Sequence, residues 1–209
     1  MSATDRAGAA TTAGGRAGNR RADAQRNRIS ILAATPVALR KNPDASVADI
    51  AAEAGVGRMT LYGHFATRAE LIEAALVESL ERGDAVLSEV PLDGRPAQAL
   101  ARLVEASWNL VDQSRALLAA AQKELSATRI RELHEKAEAR MRDLLERGQR
   151  EGAFRGDLPV SWLLATAHVV MNAAAEEIAA ARLDPGDAAR FIDAVLQPAF
   201  APAATKERS

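Results

Sequence analysis

An all-α protein is what this chain predicts, on three observations. Apolar residues make up 48% of it but aromatics only 3%, and an alanine-rich chain poor in aromatic and β-branched residues favours closely packed helices. Apolar positions recur at three- and four-residue spacing along most of its length. Between these stretches stand breaks such as Asn42-Pro43-Asp44, Val90-Pro91-Leu92-Asp93-Gly94 and Asp184-Pro185-Gly186, which divide the chain into about nine helices. A length of 209 residues is enough for one or two domains and a sizeable core. The expected division is a disordered basic tail over 1–21, a three-helix unit over 22–68, a helical bundle over 69–200 and a flexible tail over 201–209.

The tail up to Arg21 is rich in Ala, Gly, Thr and Arg without apolar periodicity, which reads as disorder. Arg16, Arg20 and Arg21 are either a basic arm for DNA backbone or minor groove, or an inert solvated segment. A first helix is expected from about Asp23 to Arg40, with Ile31, Thr35, Ala38 and Leu39 on one face. Pro36 removes the bond to the carbonyl of Leu32, so this helix should kink or fall into two pieces. Ser46 and Asp49 approximate a capping box that opens a short helix ending near Ala54. Gly55-Val56-Gly57 turns the chain into a second short helix, Arg58 to Phe65. Thr67 and Glu70 form another capping box for a helix of roughly 20 residues, about 30 Å long.

Pro96 suits the first turn of the next helix, whose buried face is Leu100, Leu103, Val104, Ser107 and Val111. A separate helix is expected over Arg115 to Ser126. A long one follows from near Thr128, with Ile130, Leu133, Ala137, Met141 and Leu144 inside, stopping at Gly152. Pro159 opens a helix over Val160 to Arg182 that is apolar nearly all round until Glu176, so it should be covered on more than one side. The last helix runs to about Gln197, where Pro198 closes it.

Charge separates the two regions. Net charge is −1 overall, but residues 1–68 hold ten Lys and Arg against five Asp and Glu, whereas residues 69–209 hold seventeen against twenty-three. A basic front and an acidic rear direct only the front to a polyanion. The chain has no cysteine, which excludes a disulfide scaffold, thiolate metal sites and a cysteine nucleophile. The longest apolar run, Leu163 to Ala175, is interrupted by His168 and Asn172 and falls short of the ~20 apolar residues of a membrane span. No signal peptide is visible, and a soluble, cytoplasmic protein is expected.

The front contains one segment with local chemistry, Ser46 to Arg68. Ile50, Ala51 and Ala54 share the inner side of its first helix. Leu61 and Phe65, four apart, pin down the second, leaving Arg58, Thr60, Tyr62 and His64 to face outward. That is the layout of a helix-turn-helix that reads DNA. Arg58, at the leading end of the second helix, suits either a bidentate pair of bonds to guanine or a phosphate. Tyr62 and His64 suit phosphate oxygens; the alternatives are half-buried packing for Tyr62 and a helix C-terminal cap for His64. Arg68 suits a phosphate or a surface ion pair. Ser46 and Val47 place backbone N–H groups at a helix start, where phosphate binds.

Catalysis has no comparable signal. His134 and Glu138 lie four apart on one helix, but no third ligand stands at a telling distance. Glu176 and Glu177 are adjacent and point apart. No phosphate loop or nucleophile motif is present, so neither enzyme activity nor a cofactor or metal is expected.

Ile50-Ala51, Ala54-Gly55-Val56-Gly57-Arg58, Thr60-Leu61-Tyr62 and His64-Phe65, followed by Arg68 and Leu71, resemble the DNA-binding domain of the tetracycline-repressor (TetR) family over residues 26–76. Beyond these the resemblance rests on helix spacing and the Gly152…Phe154…Asp157-Leu158-Pro159 turn. It implies a homodimeric transcriptional regulator, usually a repressor, released from a palindromic double-stranded DNA operator when a small-molecule effector enters the bundle. It also implies dimerisation through the last two helices, and DNA contacts from Ser46, Val47, Gly57, Arg58, Thr60, Tyr62, His64 and Arg68. The alternative is a helical DNA- or protein-binding scaffold with no small-molecule control.

Three positions depart from the family pattern. Gly57 replaces the hydroxyl residue often found as N-cap of the recognition helix. Gly63 stands where many members carry a bulky polar residue that reaches DNA, and Pro36 is unusual inside the first helix. For an effector, the bundle offers Trp108, His134, Met141, Trp162, His168, Met171 and Asn172. A buried His or Asn needs a polar partner, which is a ligand, a backbone carbonyl or the other subunit.

Overall fold

A computed structural model of the protein describes residues 9–202. Among them are eight α-helices and one short 3-10 turn, with no strand: α1 (Ala9–Lys41), α2 (Val47–Glu53), α3 (Arg58–Tyr62), α4 (Arg68–Ser88), α5 (Pro96–Glu124), α6 (Ala127–Arg150), α7 (Val160–Ala179), the 3-10 turn Pro185–Asp187, and α8 (Ala188–Phe200). The all-α expectation holds. The chain divides into two compact units, Met1–Leu76 and Val77–Ser209. The division falls inside α4, eight residues beyond the boundary expected at 68, because Leu71, Ile72, Ala75 and Leu76 are all fully or almost fully buried and belong to the first unit's core.

In the first unit α1 packs on α2 and α3. Ile31, Thr35, Ala38 and Leu39 are its buried face, as the periodicity predicts. Two expectations for α1 are corrected. It is helical from Ala9, not from Asp23; lengthening an existing helix costs far less than nucleating one, even across Gly14, Gly15 and Gly18. Residues 1–8 of the expected tail lie outside the described residues. It also continues through Pro36 as one helix. There the Thr35 hydroxyl donates to the Ile31 carbonyl at 2.8 Å, one turn back and beside the Leu32 carbonyl that Pro36 leaves without its usual donor.

In the second unit α5 packs on α6, α7 and α8, and α7 also on α6 and α8. Three helix limits differ from the sequence reading. No break precedes Arg115: α5 is a single 29-residue helix. Asp112-Gln113-Ser114 contains no Gly or Pro, and the polar groups there find partners without a turn. Ser114 bonds Ser79 at 3.0 Å, and Arg115 donates to the Ala175 carbonyl at 2.7 Å. Helix α7 stops at Ala179, short of Arg182, because Ala181 takes a left-handed backbone at φ 55 while Arg182 pairs with Glu177 at 2.6 Å. Helix α8 carries Pro198 inside its last turn and continues to Phe200. That side chain is fully buried, its ring edge-on to Phe154 at 6.3 Å, and its carbonyl accepts the Arg155 N–H at 2.8 Å.

Candidate nucleic-acid interface

The reading stretch is assembled by caps and one left-handed glycine. At the start of α2 the Ser46 hydroxyl accepts the Asp49 N–H at 3.2 Å, and the Asp49 carboxylate accepts the Ser46 N–H at 2.7 Å. This is the reciprocal box that the sequence predicts. The Ser46 bonds also hold the Asp49 carboxyl below the usual carboxylate range. One consequence revises the sequence reading: the Ser46 N–H is bonded to Asp49 and not held out for a phosphate. Val47, the first residue of α2, is half-buried.

After α2, Gly55 turns the chain at φ +67, where a side chain would be strained. Gly57 then caps α3 with extended backbone and no side-chain hydrogen bond. Helix α3 is five residues long, too short to persist alone. It is held by Leu61 and Phe65, each 1% exposed.

Outside this core the sequence-predicted residues separate. Arg58 and Thr60 are exposed, and the Arg58 guanidinium lies 5.5 Å from the Tyr62 ring centre. Tyr62 is 36% exposed, with its ring partly covered by that arginine. His64 is half-buried, its ring 6.4 Å from Phe65. Arg68 is half-buried and donates to the Ala45 carbonyl before α2, so it ties the start of α4 to the entry of α2 in addition to any role on a phosphate.

Two residues were not singled out by sequence. The Arg28 guanidinium stacks over Phe65 at 4.7 Å; its position three residues before buried Ile31, on nearly the same helical face, was the available signal. Met59 is 81% exposed, two residues before Leu61 and so almost opposite it on the helix. The Arg21 side chain is exposed; those of Arg16 and Arg20 lie outside the described residues. At the other end of the stretch, Thr67 Oγ1 accepts the Glu70 N–H at 3.0 Å and the Glu70 carboxylate accepts the Ala66 N–H at 2.8 Å. The box thus closes one residue earlier than expected.

The model of the tetR family of bacterial regulatory proteins matches residues 31–75, which is the stretch just described with its supporting helices. Over those residues the chain is similar to the tetR family. The HTH-type transcriptional repressor LfrR of Mycolicibacterium smegmatis (strain ATCC 700084 / mc(2)155) is 34% identical over 87 residues, 41% of this chain and 46% of that protein. The match therefore spans about half the length of this curated relative. Among solved structures, the TetR-like regulator LfrR from Mycobacterium smegmatis in complex with proflavine aligns with a TM-score of 0.68 at 24% identity, over 82% of this chain and 94% of that one. The fatty acid degradation regulator FadR from Bacillus halodurans aligns at 0.69 with 19% identity, over 81% and 94%. Likenesses at this identity establish that the TetR fold extends through the second unit.

In the bundle of the second unit the seven residues named for an effector are scattered. Trp108, Met141 and Met171 lie together in the hydrophobic core. Trp162 is 60% exposed and Asn172 is exposed, so neither is a buried polar or aromatic wall. His134 is half-buried, with Nδ1 2.9 Å from the Ile130 carbonyl. His168 stands 3.6 Å from Glu138. Burial of the ring pushes its pKa below the ordinary value, with Glu138 opposing and His134 adding to the shift.

An open groove of about 460 Å³ runs between α6 and α7, lined by Thr128, Glu132, Glu138, Arg142, Ser161, Leu164 and His168 among others. Of the seven, only His168 reaches it. Among the described residues no three His, Cys, Asp or Glu side chains are grouped to hold a metal, and no helix is long and apolar enough to cross a membrane.

Proposed function

We propose that the protein is a transcriptional regulator that binds a palindromic DNA operator as a homodimer, represses from it, and is released by a small apolar or amphipathic molecule held in the second unit. The observation that carries the reading is α3. It is a five-residue helix with no side-chain cap of its own, seated on two fully buried side chains and presenting Arg58, Met59 and Thr60 to solvent. A segment built this way has little value as core and suits insertion into a major groove.

Dimerisation is supported by exposed apolar side chains on the last two helices. Trp162 and Val169 on α7 are 60% and 67% exposed, and Phe191 and Val195 on α8 are 42% and 51% exposed. Each pair is spaced to share a helical face, and apolar faces left in water mark association surfaces. A symmetric pair of reading helices then calls for half-sites about 34–36 Å apart. Effector control is supported by the LfrR structure with proflavine, and FadR is named for fatty acid degradation.

A mobility-shift titration on DNA upstream of the protein's own gene, with competitor, tests the central claim. A specific complex containing two chains is expected. A folded chain with no preference over random duplex would refute it. A thermal-shift screen of drugs and metabolites then separates effector control from a ligand-independent scaffold, because a ligand at ~100 times its Kd adds about 2.7 kcal/mol.

A further inference from the structure

Met59 is the most exposed large apolar side chain among the described residues. Single exposed apolar residues are common, so its place matters more than its exposure. At 3.6 residues per turn, Met59 sits about 160° from Leu61, the side chain that anchors α3. It therefore stands at the crest of the helix. Its neighbour four residues on is Gly63, which has no side chain and whose N–H is bonded to the Met59 carbonyl at 3.0 Å. A Cβ at Gly63 would already lie 3.3 Å from the Thr60 carbonyl oxygen.

Arg58 and Thr60 on either side are exposed and carry hydrogen-bonding groups, but Met59 at the crest carries none strong enough to read a base edge. Whatever it recognises must be recognised by apolar contact, and the apolar feature of the major groove is the thymine 5-methyl. Methionine, flexible and polarizable, fits such a contact. Arg58, just before it in the chain and exposed, supplies the charge that draws this face to DNA.

We propose that Met59 is a specificity-determining residue that reads a thymine 5-methyl group in the major groove. This rests on the DNA-binding reading above. The test begins with binding-site selection from random duplexes by the full-length chain. Each thymine of the selected duplex is then replaced in turn by deoxyuridine, which removes only the methyl, and affinity is measured by fluorescence anisotropy at fixed salt.

For the wild-type chain, one or two positions per half-site should lose about 4-fold in affinity on losing the methyl, the value of one buried carbon. M59A and M59Q, both substitutions at an exposed position with folding checked by circular dichroism, should bind thymine and deoxyuridine duplexes equally. Selection that succeeds but shows no methyl-sensitive position, or methyl sensitivity that survives in both variants, overturns the Met59 assignment alone. A folded wild-type chain that selects no duplex overturns the DNA-binding reading, and this proposal with it.

Discussion

The first unit turns its chain twice within about 25 residues and secures each turn by a local device, whereas the second holds long helices together by diffuse apolar contact. Between α2 and α4 there are a reciprocal Ser46–Asp49 box, a left-handed Gly55 and a Thr67–Glu70 box. The second unit's α5 and α6 run 29 and 24 residues, and its core is mostly Leu, Ala and a few aromatics. One close approach stands out there: the Phe154 ring lies against Gly148. The difference teaches where specificity is stored. A surface that must present a few side chains in fixed positions uses short elements and caps, while a container needs only periodicity and volume.

The comparison can be broken most forcefully at Phe65. F65A removes the ring that seats α3 and carries Arg28, and should cost about 3–5 kcal/mol. Hydrogen exchange should show protection lost through α1 to α3, with amides of α5 to α8 retained. Simultaneous loss in both units would mean that the first unit has no core of its own.

Next in size is G148A, whose Cβ would lie 2.0 Å from a Phe154 ring carbon. Because Phe154 is buried the ring cannot swing away, and about 3 kcal/mol of overpacking is expected. Urea denaturation measures this. Pairing G148A with F154L should restore part of the loss, and no restoration would place the strain elsewhere.

G55A comes third. No atom lies within 4 Å of the would-be Cβ, so the cost is purely backbone, about 1–2 kcal/mol for a left-handed residue. Asn, which tolerates this conformation, should cost less than Ala in thermal melts; equal losses would rule out the backbone explanation.

The smallest effect concerns pH in the second unit. The His168 pKa is lowered in the folded chain, chiefly by burial, so folding favours the neutral ring. The unfolded chain then binds the proton more readily, and stability should decline as pH falls below about 6.5. With the side chain 46% exposed, the decline should be slight. H168Q should flatten the Tm against pH in this window, and an unchanged slope would assign it to other groups.

Much of the first unit was legible because its devices are local. Ser46 and Asp49 three residues apart, Gly55 after Ala54, and Leu61 with Phe65 four apart are patterns whose physics is complete within one or two turns of chain. In the second unit, the periodicity of Leu100, Leu103 and Val104 identified a buried face, but it could not say whether α5 continues past Asp112. That depended on Ser79 and Ala175, distant in sequence, supplying partners to Ser114 and Arg115. The end of α8 lies beyond Pro198 for the same reason, since Phe154 and Arg155 hold the final turn in place.

The sequence by itself determined the helical class, the basic front, the turn and caps of the reading stretch, and the residues that anchor α3. Each depends on composition, on spacing along one helix or on a bond spanning three or four residues. Tertiary structure alone decided that the first two turns of α4 belong to the first unit, and that Arg68 bonds the Ala45 carbonyl. It also decided that Trp108, Met141 and Met171 are core while Trp162 and Asn172 face solvent. Those outcomes depend on which surfaces meet after the chain folds back on itself, and helical spacing does not distinguish a face that packs from one left exposed.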